Sequence, residues 1–98
     1  MAGKGINLNN QDIRVALLLA KAYYYFKKYD KGISVLSPFM FDDKKPLEYY
    51  ILLGQGYSAL GRHREALGYF EQAITSFGLN YTVLNEIGEC YLHLGEKE

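Results

Sequence analysis

The sequence predicts an all-α fold, on three observations. Apolar residues recur at three- and four-residue intervals along segments such as "DIRVALLLAKAYYYFKK" and "LEYYILLGQGYSALG", the period of a helix with one buried face. Neither Val/Ile/Thr alternation nor a hairpin dipeptide of the Asn-Gly type occurs, so strands have no pattern to follow. Asn, Asp, Pro and Gly fall between the periodic segments at helix-length intervals, where caps and stops belong. Five helices result. The first starts after Asn9 and Asn10 as caps. Asp30 caps the second, which runs through "KGISVLSPFMF" and is bent or shortened by Pro38, a residue without a backbone donor. Pro46 opens the third in its first turn, and Gly61 closes it after Leu60. The fourth covers residues 63–76 and stops at Gly78. Asn80 caps the fifth, which is expected to end at Gly95. The short connections make consecutive helices antiparallel neighbours.

Ninety-eight residues with 49% hydrophobic composition suit one small packed domain and exclude a solvated, disordered chain. The net charge is zero but unevenly spread. Residues 1–46 carry eight Lys/Arg against four Asp/Glu, and residues 47–98 carry three against seven. With no basic stripe interleaved with aromatics, nucleic acid is not an expected partner. The longest apolar run, "VALLLA", is far short of the roughly eighteen residues a membrane span needs. A single cysteine cannot form an internal disulfide, which fits a reducing compartment and an expected cytoplasmic location.

The chain also matches itself. Shifted by 34 residues, Gly54, Tyr57, Leu60 and Gly61 fall on Gly88, Tyr91, Leu94 and Gly95. The middle segment reads Tyr50-x2-Leu53-Gly54-x2-Tyr57, then Ala66-x3-Phe70. In this pattern the chain resembles the tetratricopeptide repeat family, whose 34-residue unit is a helix pair. Gly78 stands where the family pattern wants proline. The resemblance implies a right-handed α-solenoid of antiparallel helix pairs, about two and a half units. The expected divisions are a cap or tail at 1–12, a degenerate first unit at 13–46, a second unit at 47–80 and the first helix of a third at 81–98. It further implies that Ala20, Gly54 and Gly88 lie at close helix crossings, and that Ala22, Gly56 and Cys90 share a second small-residue slot. Tyr23, Tyr57 and Tyr91 recur at a core position.

Catalysis has no footing: no HExxH, no Ser/His/Asp or Cys/His order and no glycine loop after a strand is present. "GQG" lies within a helix and lacks the Lys-Ser/Thr of a phosphate cradle. Cys90 and His93, with His63 recruited, make three candidate metal ligands without a fourth, so neither metal nor cofactor is expected. Cys90 is read as a buried, unreactive thiol.

By the resemblance, the first helix of each unit lines a concave surface. Its residues here are Arg14, Leu17, Lys21, Tyr24 and Tyr25, then Glu48, Ile51, Gln55, Ser58 and Ala59, then Thr82, Asn85, Glu89, Leu92 and His93. Leu17, Ile51, Tyr24 and Tyr25, joined by Leu52, form the expected apolar floor, with Lys21 and Gln55 as polar contacts. The alternative cover for that floor is the chain's own N-terminal segment with Ile6 and Leu8. The family's grip on a chaperone C-terminal carboxylate is not expected, because the corresponding positions hold Leu17, Lys21, Leu52, Thr82 and Glu86. The expected function is a protein–protein interaction module, a scaffold, adaptor or chaperone-like protein that holds a partner's peptide or helix. The alternative is a self-association segment of a larger repeat protein, joined through the open face of the fifth helix by a symmetric dimer, helix exchange or end-to-end stacking.

Overall fold

The computed structural model describes residues 12–97, with side chains through Gly95. These residues form five α-helices and no strand: α1 (Ile13–Tyr25), α2 (Tyr29–Leu36), α3 (Leu47–Ala59), α4 (His63–Phe77) and α5 (Tyr81–Lys97).

Each boundary has a local cause. Asp12 caps α1 by accepting the Arg14 backbone N–H at 3.1 Å; Asn9 and Asn10, the expected caps, lie outside the described residues. Lys27 turns the chain at φ 63°, and α2 then starts at Tyr29, with Asp30 in its first turn and not at the cap. Pro38 shortens the second helix as its missing donor requires: the α-helical ladder ends at Leu36 and a single 3-10 turn, Ser37–Phe39, follows. Pro46 takes the extended conformation that precedes α3, and Gly61 (φ 83°) reverses the chain after it. Gly78 (φ 90°) does the same for α4, and Asn80 accepts the Val83 N–H at 3.1 Å to cap α5. Asn80→Ala should therefore cost about 1 kcal/mol of stability, measured as a shift of the urea unfolding midpoint. Gly95 does not end α5, which runs on to Lys97.

Consecutive helices pack antiparallel. Between α3 and α4, Tyr50 meets Phe77, Gly54 meets Phe70 and Tyr57 stacks on Tyr69. The odd-numbered helices lie side by side and parallel: Lys21 of α1 pairs with Glu48 of α3, Tyr24 reaches Leu52, and Gln55 of α3 reaches Glu86 of α5. Helix α3 touches all four others.

The core follows the seam between these helices. Ala20, Leu36, Ala66, Phe70, Ala73, Val83 and Cys90 have no exposed surface, and Tyr49 and Leu53 almost none. A Cβ at Gly54 would lie 2.8 Å from Phe70 Cδ1 and closer still to the ring edge, so the glycine is what lets α4 seat its phenylalanine against α3. The same holds at Gly56, where a Cβ would meet Ile33 Cγ1 at 2.9 Å and the Tyr24 ring. Gly88, at the corresponding position of α5, has nothing within 4 Å of an added Cβ. The recurring tyrosines are not the core ones: Tyr23 and Tyr57 are half-buried and Tyr91 is 55% exposed. Tyr49 and Tyr50 fill the core in their place: Tyr49 donates its hydroxyl to the Leu36 carbonyl of α2, and Tyr50 packs its ring on Phe77 of α4.

Candidate functional site

The parallel packing of α1, α3 and α5 brings one stripe from each helix onto a common side. On α1 it comprises Arg14, Leu18, Lys21 and Tyr25, spaced four, three and four residues apart, so they share one helical face. On α3 it comprises Glu48, Ile51 and Gln55, and on α5 Asn85 and Glu89. The Lys21–Glu48 ion pair joins the first two stripes. The Gln55 amide donates to Glu86 Oε2 at 2.8 Å, joining the second and third. Both pairs are partly exposed, so each is worth at most about 1 kcal/mol.

Three of the expected apolar contacts, Leu17, Leu52 and Tyr24, face inward. Leu17 is 4% and Leu52 5% exposed, both within the core, where no partner reaches them. Tyr24 also faces inward: its ring fills the slot left by Gly32 and Gly56, and its hydroxyl donates to the Leu52 carbonyl at 2.5 Å. Burial, then the neighbouring phenols of Tyr57 and Tyr29, push its pKa well above the ordinary tyrosine value. The exposed apolar residues of this side are instead Leu18, 66% exposed, and Tyr25, 80% exposed and in edge contact with Phe26 at 5.1 Å. Leu18 was not singled out by the sequence. Its signal is the run "VALLLA" itself, which is apolar at more positions than one buried face can use. Ile51 is half-buried between them.

Arg14 is held in a bidentate pair with Asp12, at 2.7 and 3.1 Å, and this pairing lowers the Asp12 pKa. Asn85 and Glu89 are exposed on α5. A shallow depression at the start of that helix is lined by Tyr81, Thr82, Leu84, Asn85 and Glu86, of which Thr82 and Asn85 belong to the expected concave surface.

Where α3, α4 and α5 converge, Ser58 lies 3.3 Å from His63 Nδ1, and the His63 and His93 rings stack in parallel at 4.4 Å. Cys90 is fully buried beside them, and burial pushes its thiol pKa up, away from the reactive thiolate. Among the described residues no group of three His, Cys, Asp or Glu side chains is placed to hold a metal ion. No helix among them is long and apolar enough to cross a membrane. In comparisons with known proteins, no family model, curated protein or solved structure matches this chain.

Proposed function

We propose that the chain is a protein–protein interaction module, a small tetratricopeptide-like α-solenoid that holds a peptide or helix of a partner protein on the joint face of α1, α3 and α5. The observation that carries this reading is the exposure of Leu18 and Tyr25 on that face, next to Lys21 and half-buried Ile51. Aromatic and aliphatic anchors surrounded by polar groups are what concentrates binding energy in a protein interface. Lys21, Glu48, Gln55, Asn85 and Glu89 form the polar surround, graded from basic on α1 to acidic on α5. A partner segment with acidic and basic ends in the matching order fits it. The 34-residue repeat and the pairing of consecutive helices support the solenoid reading, and the lone buried thiol supports a cytoplasmic setting.

The test is capture of partners by the whole chain, compared with the Leu18→Asp/Tyr25→Asp double variant. Both side chains are exposed, so the variant should keep its helical circular dichroism. Partner affinity should fall at least tenfold, about 1.4 kcal/mol. Unchanged capture by a folded double variant defeats the assignment of this face.

A further inference from the structure

Two apolar stripes are left over once the face above is set aside, and they lie at opposite ends of the helix order. On α1 and its C-terminal cap, Val15 (56% exposed), Leu19 (46%), exposed Ala22 and the cap residue Phe26 (67%) follow one another at spacings of four, three and four. On α5, Leu84 (41%), Gly88, Tyr91 (55%) and Gly95 follow the same spacing. Each is therefore a straight row along its helix.

Both rows have counterparts that the chain buries. Thirty-four residues on from Val15, Leu19 and Ala22 stand Tyr49, Leu53 and Gly56, which α3 buries, in part against α2. Thirty-four residues before Leu84, Gly88 and Tyr91 stand Tyr50, Gly54 and Tyr57, which α3 sets against α4. The chain thus covers each kind of row on α3 and leaves one of each exposed.

We propose that the two exposed rows cover each other between copies of the chain, α1 of one copy lying parallel to α5 of the next in a head-to-tail contact. Laid parallel in register, large side chains meet small ones: Leu19 opposes Gly88, Tyr91 opposes Ala22, and Phe26 opposes Gly95. An added Cβ at Gly88 or Gly95 finds nothing within 4 Å in the single chain, so there is room for the incoming leucine and phenylalanine.

Charge selects this arrangement over a symmetric one. The half containing α1 carries eight Lys/Arg against four Asp/Glu, and the half containing α5 carries three against seven. Exposed Arg14, Lys27 and Lys28 flank the α1 row, and exposed Glu89 and Glu71 flank the α5 row, Glu71 lying 3.5 Å from the Tyr91 hydroxyl. Head-to-tail contact brings the basic-flanked α1 row against the acidic-flanked α5 row, whereas pairing α5 with α5 or α1 with α1 brings like-charged flanks together. Such a contact is heterologous, so it propagates into open chains or closes into a ring.

The experiment is sedimentation of the full chain over a wide concentration range, at low and high salt, with the variants Leu19→Glu and Gly88→Glu. Gly88 has open space around it and lies within a helix, so Gly88→Glu keeps the fold while filling the slot that Leu19 needs. If Leu19→Glu loses helical circular dichroism, Ala22→Glu takes its place on the same row. The unmodified chain should grow with concentration, and association should weaken at least tenfold at high salt. Each variant alone should be a monomer, and an equimolar mixture should form a one-to-one dimer and nothing longer, because one intact α1 row and one intact α5 row remain. A concentration-independent monomer, the result if residues 1–11 or nothing at all cover α1, overturns the proposal. So does a dimer that Leu19→Glu leaves intact, or a mixture of variants that stays monomeric. These sizes are read without any partner, so they stand or fall separately from the binding face on Leu18 and Tyr25.

Discussion

Phe70→Ala should lower the free energy of unfolding by about 3–5 kcal/mol. The ring is fully buried between α3 and α4, and it lies directly over Gly54. That contact gives the prediction a second, sharper part. In a helix, replacing glycine with alanine ordinarily gains about 1 kcal/mol of propensity. Here the new Cβ would lie 2.8 Å from Phe70 Cδ1 and nearer to two other ring carbons, so Gly54→Ala should destabilise the chain and Gly54→Leu should cost about 1–3 kcal/mol through overpacking. In the Phe70→Ala background the obstacle is gone, and Gly54→Ala should change sign to become stabilising. Urea denaturation of the four proteins in this cycle measures the coupling directly. Additive effects, with Gly54→Ala equally harmful in both backgrounds, would remove the helix crossing as the reason for the glycine.

Alkaline pH should unfold the protein well before its backbone is at risk. Tyr24 donates its hydroxyl to the Leu52 carbonyl, and Tyr49, 1% exposed, donates to the Leu36 carbonyl at 2.9 Å. Burial, and then the phenols around them, raise both pKa values above the ordinary one. The unfolded chain releases these protons from about pH 10 upward, while the folded chain retains them. Stability is therefore full below pH 10 and falls above it, by up to about 1.4 kcal/mol per pH unit for each hydroxyl. Tyr49→Phe should flatten this decline while costing about 1 kcal/mol at neutral pH for the lost bond to Leu36. Urea midpoints followed from neutral to alkaline pH, with and without the substitution, report both effects; an identical slope in the two proteins would count against Tyr49.

The helices were legible in the sequence because their ends are written in single residues. Pro46, Gly61, Gly78 and Asn80 act through backbone geometry or one local hydrogen bond, neither of which depends on the tertiary fold. The α2 boundaries were harder, since Asp30 reads as a cap and yet the chain enters the helix two residues earlier, with Lys28 at the cap after Lys27 has made the turn. The facing of α1 was harder still. Its run from Val15 to Ala20 is apolar on nearly every side, so periodicity alone does not separate buried Leu17 from exposed Leu18. The same is true of Tyr23, Tyr24 and Tyr25, three identical rings on three sides of one turn. What decides among them is the pair of glycines, Gly32 on α2 and Gly56 on α3, that opens a slot for Tyr24 alone. That information sits in other helices, eight and thirty-two residues away along the chain.

The position of α3 sets how the molecule comes apart. Because α3 touches every other helix, loosening either end leaves it covered on the opposite side. Separation of α1 and α2, or of α5, is a partial opening with only part of the global free energy at stake. Amide protons in the middle of α3 exchange by the rarest event, the simultaneous loss of both flanks, and those of α1 and α5 by the commonest. The helices that carry exposed apolar rows are thus also the ones freest to move when something binds to them.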